Sequence, residues 1–305
     1  MITAANTRLM TPLVGAMLAV AFSGSAAWAG ACDRTTASAS TACMRQAEGG
    51  YHIGLGVCAN LDTSEQEQCA ARAKHRLSAA RNDCQEQVKA RSKVCQALGQ
   101  GRYDPVIRPS DFVAEITNPY FPLKPGTTFT YKGKDSLVVV RVTSRTKQIL
   151  GVTCVVVQDT NLVDGKIEED TFDYFAQDRH GNVWYFGEAT AEYKNGIPVS
   201  THGSWIAGKN GAKPGIVMPA SRKLGVTYRQ EFLLGEAEDL ARIEEHGAHV
   251  SVPYGNFNNA LKTFDFTPLE PELRENKYYV PGVGLVLTVD RVTGEREELI
   301  SIEHD

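Results

Sequence analysis

The chain has 305 residues, with 32 Lys and Arg against 36 Asp and Glu, and its formal net charge is −4. This mild acidity disfavours a nucleic-acid partner, because binding to phosphates requires a basic surface. The length is sufficient for two domains and a sizeable hydrophobic core.

The first 29 residues have the pattern of a secretory signal peptide. Arg8 supplies a positive charge, an apolar run extends over residues 9–22, and Ala27-Trp28-Ala29 forms an A-x-A cleavage pattern. The apolar run is too short to cross a bilayer, and no later segment approaches the length of a membrane span. We therefore predict cleavage after Ala29 and export to the periplasm or the medium, without a transmembrane segment in the mature chain. Two alternatives are an uncleaved membrane anchor and lipidation of Cys32.

Cysteines are concentrated directly after this leader. Six of the seven precede residue 96, and dense cysteine in a short exported segment is typical of a disulfide framework. The six candidates for disulfide bonds are Cys32, Cys43, Cys58, Cys69, Cys84 and Cys95. They form a repeated C-x10-C pattern, and because eleven residues make about three helical turns, the two cysteines of each unit share one helical face. Residues 30–104 are thus predicted to form a cysteine-rich helical domain.

The pairing of these cysteines is open among fifteen possibilities. Gly49-Gly50 is a plausible turn, and a helical hairpin centred on it would pair Cys43 with Cys58 and Cys32 with Cys69. This nested arrangement is our first choice, although it leaves Cys84 and Cys95 unexplained. Residues 64–98 contain no Gly or Pro, which predicts one long helix or two helices separated near Arg81.

Residues 105–305 are predicted to form a β-rich domain. Apolar, β-branched runs recur at residues 137–142, 152–157 and 285–289. Asp164-Gly165 and Asn195-Gly196 between such runs suit tight hairpin turns, and His180-Gly181 suits a longer one. The fold class is therefore α+β with segregated parts: a disulfide-stapled helical segment, then a mostly antiparallel β meander that forms a barrel or half-barrel.

Sequence motifs for catalysis or cofactor binding are weak. His246 and His249 lack the spacing of a metalloprotease helix and lack a third ligand, so no metal site is predicted. Two acidic clusters, residues 168–173 and 236–239, are more typical of solvated faces than of calcium loops. Cys154 lies in an apolar strand, where a thiol is usually inert. We predict no cofactor and no catalytic residue, and whether the protein is an enzyme stays open, with a binding role preferred.

Aromatic side chains are dense around the predicted hairpin at residues 172–186. They have two interpretations: they pack a core, or they line an apolar ligand cavity inside the barrel. The candidate ligand-binding residues are Phe172, Tyr174, Trp184, Phe186 and Trp205. A ligand cavity lined by these rings should have a volume on the order of 300 Å³ or more.

Four motifs resemble an uncharacterised family of exported bacterial β-domain proteins. They are NPYFPLKPGTTFTY at residues 118–131, QDRHGNVWYFGE at 177–188, PGIVMP at 214–219 and KYYVPGVGL at 277–285. Residues 84–105 also resemble the helical leader that some members carry. The resemblance implies export and a compact β domain, but no activity, cofactor or site residues.

Two functions from different classes follow. The first is a non-enzymatic binding or structural module of the cell envelope, whose β domain holds an apolar small molecule or an envelope protein. The second is a secreted hydrolase, whose carboxylates converge only in three dimensions.

Overall fold

The computed structural model describes residues 30–305, so the predicted signal peptide lies outside the described residues. The first elements are two antiparallel helices, α1 (Ala31–Ala59) and α2 (Thr63–Leu98), joined by a loop at residues 60–62. The second helix is continuous past Arg81, and Gly99, with a φ of 85°, ends it. Within residues 30–305, no helix combines the length and apolarity needed to cross a membrane.

All six cysteines of the hairpin are paired, as predicted, but not in the nested arrangement. The bonds are Cys32–Cys95, Cys43–Cys84 and Cys58–Cys69. The pairs Cys43–Cys58 and Cys32–Cys69 are wrong because Gly49-Gly50 does not form a turn: both glycines lie inside α1. Partners in an antiparallel hairpin are indeed symmetric about its turn, but the turn is the loop at residues 60–62. Three disulfides indicate an extracytoplasmic protein.

The hairpin has almost no hydrophobic core of its own. In α1 the buried residues are Thr36 and Cys58, while α2 buries chiefly cysteines and small side chains. Gly54 allows the helices to approach closely, because a Cβ there would lie 3.3 Å from the Cβ of Ala73. The disulfides therefore supply the connection that side-chain packing supplies in larger bundles.

A 15-stranded antiparallel sheet follows a short linker and a 3₁₀ turn at Pro109–Asp111. Its strands are β1 (Thr127–Lys132), β2 (Ser136–Ile149), β3 (Val152–Val163), β4 (Lys166–Gln177), β5 (Val183–Lys194), β6 (Ile197–Ser200), β7 (Trp205–Ile206), β8 (Lys213–Met218), β9 (Thr227–Arg229), β10 (Glu231–Phe232), β11 (Leu240–Val252), β12 (Gly255–Phe266), β13 (Arg274–Val280), β14 (Gly284–Asp290) and β15 (Arg296–His304). The predicted α+β fold with a helical segment and a β meander is confirmed.

The sheet curls but its ladder of strand pairs is not closed. The order is β10-β8-β5-β4-β3-β2-β1-β15-β14-β13-β12-β11-β9, with β6 and β7 added beside β5. The two end strands, β9 and β10, are separated in sequence only by Gln230, so the chain itself spans the gap between the edges. The predicted turns Asp164-Gly165 and Asn195-Gly196 connect adjacent strands, and all four residues have positive φ.

Two hydrophobic clusters lie on opposite faces of the curled sheet. The first, which we call the inner core, joins β1–β4 to β11–β15 and includes Phe129, Val157, Phe175 and Leu261. The second, the outer core, covers the other face of β3–β5. Strand β3 shows the alternation: Val157 belongs to the inner core, whereas Cys154 and Val156 belong to the outer core.

The hairpin contacts the β domain through the last third of α2. Arg91 donates two hydrogen bonds to the Glu238 carboxylate, from Nε at 3.2 Å and from Nη2 at 2.7 Å. Their side chains are only 6% and 3% exposed. Gln87 donates to the carbonyl of Leu269, and the Tyr103 hydroxyl in the linker donates to the carbonyl of Pro214. The two predicted domains thus share a polar, buried interface.

Candidate functional site

The five aromatic candidates lie together, but in the outer core. Tyr174, Phe186 and Trp205 are buried there, and Phe172 and Trp184 pack against them. Phe112, from the segment before β1, covers this cluster and makes edge contacts with the rings of Trp184 and Phe186. This environment is that of core packing, and the role of these five residues in ligand binding stays a prediction.

Strand alternation explains this placement. On β4 the rings of Phe172 and Tyr174 share one face, as the sequence predicts, while Asp173 and Phe175 take the opposite face. Because Phe175 belongs to the inner core, that opposite face is the interior of the curled sheet. On β4 it is therefore Asp173 and Phe175, and not Phe172 and Tyr174, that point inward.

The interior contains a cavity of about 160 Å³. Its apolar wall comes from the segment before β1 and from strands β1–β4 and β14, through Phe121, Pro122, Leu123, Phe129, Tyr131, Val138, Val140, Val157, Phe175, Gly284 and Leu285. Three carboxylates, Asp159, Asp173 and Glu297, complete the lining. We call this space the inner cavity. It is smaller than the 300 Å³ expected, and the five aromatic candidates do not line it.

Beyond these three carboxylates the interior becomes strongly acidic. We call this region the acidic chamber, and its members are Asp159, Asp173, Glu188, Glu231, Asp239, Asp265, Glu275, Glu297 and Lys277. They come from strands on both sides of the curled sheet, and their charges act on one another. Asp239 is exposed to solvent, so this end of the chamber is open to water.

Several of these carboxyl groups have raised pKa values. Burial, with the negative charges of Glu297 and Glu169, raises the pKa of Asp159 to about 7. Burial also raises the pKa of Glu188 to about 7, although a hydrogen bond from Tyr185 opposes the shift. Burial and neighbouring carboxylates raise the pKa of Glu231 well above its usual range. A group of like charges confined together resists full ionisation.

Tyr185 connects two of these carboxylates. Its hydroxyl lies 2.5 Å from Oδ1 of Asp173 and 3.0 Å from Oε2 of Glu188. Burial, and then repulsion by Glu188, raises the pKa of Asp173 well above its usual value. The Tyr185 ring stacks on Phe175 and makes an edge contact with Trp205. This tyrosine therefore links the inner core, the outer core and the acidic chamber.

Lys277 is the basic residue of the chamber. Its Nζ lies 3.7 Å from Oδ2 of Asp265 and 3.5 Å from Oε2 of Glu275. Burial acts against its protonation, but these carboxylates outweigh burial and raise its pKa. Asp265 also accepts hydrogen bonds from Thr263 and from Nε2 of Gln230, the residue between β9 and β10. One ammonium group thus offsets a small part of the negative charge.

Some polar atoms near the chamber lack partners. Among residues 30–305, the buried side-chain atoms without a hydrogen-bond partner include Nε1 of Trp205 and the hydroxyl of Tyr228. Trp205 is only 3% exposed, and its ring N–H is directed toward Glu231, which lowers that residue's pKa against the larger effect of burial, although the two groups do not reach full hydrogen-bond geometry. Burial, and then the negative charge of Asp265, raises the pKa of Tyr228, so its hydroxyl lies near this chamber carboxylate.

The remaining sequence candidates are dispersed. His246 and His249 lie on β11, and the His246 ring bonds to the carbonyl of Arg222. Of the two acidic clusters, Asp173 and Asp239 face the chamber, whereas Glu238 pairs with Arg91. In the part of the chain that the structure describes, no three His, Cys, Asp or Glu side chains converge closely enough to hold a metal ion.

The motif residues at 177–184 have structural contacts. The Asp178 carboxylate accepts hydrogen bonds from the backbone N–H of His180 and Asn182 and from the side chains of Asn182 and Trp184. Gln177 Oε1 accepts from the backbone N–H groups of Thr117 and Asn118. These bonds fix the segment before β1 against the β4–β5 loop, which positions the wall of the inner cavity.

Sequence reasoning missed the acidic chamber. Its eight carboxylates come from seven strands and from the residue before β11, and only strand pairing brings these elements together. One signal was available: acidic residues occupy inward positions within apolar strands, as in Val157-Gln158-Asp159 of β3. Since the outward positions of β3 are also apolar, the pattern did not identify which face was the interior.

Comparisons with known proteins give little further information. No family model matches the chain, and no curated protein matches it. One solved structure, a candidate lipoprotein from Parabacteroides distasonis, aligns with 14% sequence identity and a TM-score of 0.30, over 61% of this chain and 99% of that one. At that TM-score the likeness supports no structural or functional conclusion, and the family resemblance of the motifs stays a prediction.

Proposed function

We propose that this protein is an exported binding module of the cell envelope, periplasmic or secreted, whose β domain holds a small apolar group in the inner cavity. The observation that carries the proposal is the cavity itself. A space of about 160 Å³ with a mainly apolar lining accepts a group of roughly the size of a benzene ring. The helical hairpin serves as a spacer that presents the β domain.

The walls of the cavity are built to keep it open. Val138, Val140 and Val157 lie on paired strands, so the ladder fixes their backbone. The opposite wall is the segment at residues 121–123, whose path is fixed by the hydrogen bonds at Gln177 and Asn118. A preformed apolar space binds a ligand without a cost for ordering its walls.

Titration with a neutral ring compound tests this proposal. Benzyl alcohol should bind in calorimetry, and it should shift the NMR signals of residues that line the cavity. Val140→Phe should fill the space and weaken binding at least tenfold, whereas Val199→Phe, at a strand position that is 59% exposed, should leave binding unchanged. Equal binding by the two variants would disprove the cavity as the site. Native mass spectrometry of protein purified from its host would identify a retained ligand.

One observation favours the alternative, a hydrolase. Asp173 and Glu188 share the hydroxyl of Tyr185, and a carboxyl group with a pKa of about 7, such as Glu188, suits general acid catalysis near neutral pH. Turnover of glycosides or esters that is abolished by Glu188→Gln, but retained in Glu168→Gln, would establish this function. Absence of turnover on both substrate classes would leave binding as the function.

A further inference from the structure

We propose that the natural ligand of this β domain is an organic amine: the inner cavity holds its apolar part, and the acidic chamber binds its positively charged ammonium group. This inference rests on the proposed function and adds the chemical class of the ligand.

The charge of the chamber is unbalanced. Eight carboxyl groups face one ammonium group, that of Lys277, and Lys277 already lies within 4 Å of Asp265 and Glu275. The carboxylates at the cavity end, Asp159 and Asp173, have no ion pair of their own in the part of the chain that the structure describes. Confined negative charge must be neutralised by protons or by a cation, and a bound cation also gains hydrogen bonds.

The apolar cavity and the acidic chamber are continuous. Asp159, Asp173 and Glu297 line the cavity, and the same three groups interact electrostatically with the rest of the chamber. A ligand whose ring or short chain occupies the apolar end therefore places its polar end beside these carboxylates. A neutral or anionic polar end would leave them unpaired, whereas an ammonium group donates hydrogen bonds to them.

Unpartnered polar groups supply an independent observation. Trp205 is 3% exposed, and its ring N–H is directed toward the Glu231 carboxylate without reaching full hydrogen-bond geometry with any group among residues 30–305. The Tyr228 hydroxyl is likewise unpartnered and lies near Asp265. Native proteins rarely leave such groups unsatisfied, so these atoms mark positions where a bound molecule or its water completes the network.

The spacing of the carboxylates favours an organic cation over a metal ion. A divalent metal requires several oxygens at 2.0–2.6 Å from one point, and no such convergence exists among residues 30–305. An ammonium group accepts a looser arrangement, since its three N–H donors reach separate acceptors. The Tyr131 ring also lines the inner cavity, and an aromatic ring beside a bound cation adds attraction.

Three probes of matched shape test the inference: benzylamine, benzyl alcohol and benzoate, each titrated at pH 8 by calorimetry. We expect benzylamine to bind at least tenfold more tightly than benzyl alcohol, and benzoate to bind most weakly. Asp159→Asn should weaken benzylamine binding about tenfold and leave benzyl alcohol unchanged. The matched control is Glu168→Gln, which removes an exposed carboxylate on β4. This variant should change the binding of neither benzylamine nor benzyl alcohol.

The outcomes separate the two proposals. If benzyl alcohol binds as tightly as benzylamine, the cavity is functional and the amine inference is wrong. If none of the three binds, the proposed function fails and the inference fails with it. A second readout uses buffers of different ionisation enthalpy: benzylamine binding at pH 7 should release protons from the chamber, and binding without proton release would contradict recognition by these carboxylates. Binding of Ca²⁺ in competition with benzylamine, and more tightly, would also overturn the inference.

Discussion

The helical hairpin and the β domain maintain their folds by different means. The hairpin has two long helices, few buried side chains and three disulfides placed at its base, middle and tip. The β domain has a large inner core, a second core on its outer face, and a continuous ladder of antiparallel strands. In the hairpin, local sequence and covalent bonds therefore dominate, whereas in the β domain contacts between distant residues dominate.

The hairpin and the β domain are nevertheless not independent, because they share a buried interface. Arg91 and Glu238 form a buried bidentate ion pair, and Glu238 also accepts a hydrogen bond from the backbone N–H of Gly235. If the hairpin unfolds, Glu238 loses its partner while it remains in the β domain. The two regions are therefore coupled in stability, and the following experiments measure how strongly.

Reduction of the disulfides should have the largest effect. Each disulfide in so small a segment contributes about 2–4 kcal/mol, so reduction should abolish the helical signal in circular dichroism. The β signal should persist at 25 °C, with a lower melting temperature because Glu238 loses Arg91. An oxidised sample in the same buffer is the control. Simultaneous loss of both signals would show that the two regions form one cooperative unit.

Breaking the interface should have the next largest effect. Arg91→Met leaves Glu238 buried without its charged partner, which should lower the free energy of unfolding by about 3–5 kcal/mol. The double variant Arg91→Met/Glu238→Gln should recover much of that loss. As a control, Lys89→Met breaks the exposed pair with Glu86 and should change stability by less than about 1 kcal/mol. Chemical denaturation checks all three, and similar losses for Arg91→Met and Lys89→Met would contradict a stabilising interface.

The pH dependence of stability should distinguish the β domain. Asp159 has a folded-state pKa of about 7, above its ordinary value, so the folded protein binds more protons than the unfolded chain between about pH 4 and 7. The contribution of Asp159 to stability is therefore greatest below that range and is lost as the pH rises through 7. The groups that act on Asp159 are Glu297 on β15, Glu169 and Asp170 on β4, and Lys277 on β13.

Asp159→Asn should remove this contribution. Because chamber water screens part of the repulsion, we expect a gain on the order of 2 kcal/mol at pH 8 and little change at pH 4. Thermal unfolding followed by the β signal, at several pH values, measures it. Glu168→Gln on the exposed face of the sheet is the control. A variant that is destabilised at pH 8 would mean that Asp159 makes a structural contact that outweighs repulsion.

The smallest effect concerns glycines inside α1. A Cβ at Gly50 would meet nothing within 4 Å, so Gly50→Ala should stabilise the hairpin by about 0.5–1 kcal/mol through helix propensity. At Gly54 a Cβ would press on Ala73 at 3.3 Å, and Gly54→Ala should gain less or lose stability. The melting temperature of the helical signal compares them. If Gly54→Ala stabilised the hairpin as much as Gly50→Ala does, close helix packing would be unimportant.

The amino-acid sequence by itself determined the features that depend on nearby residues. Helical periodicity and the cysteine spacing predicted the hairpin, and Asp164-Gly165 and Asn195-Gly196 predicted two turns, because these signals involve residues within a few positions of one another. The export signal predicted at residues 1–29 is likewise a local pattern, and it stays a prediction because it lies outside the described residues. The pairing of the cysteines depends on the position of the turn between the two helices. Gly49-Gly50 was the wrong choice for that turn, because glycine is tolerated inside a helix that disulfides stabilise.

Only the tertiary structure decided which face of the sheet is the interior. The alternation along β4 predicted that Phe172 and Tyr174 share a face, but the same alternation places Asp173 and Phe175 on the other face with equal regularity. Both faces of β3–β5 are buried, so hydrophobicity could not distinguish them. The inner cavity and the acidic chamber exist because strands that are distant in sequence curl around one space, and that curvature is a property of the whole sheet.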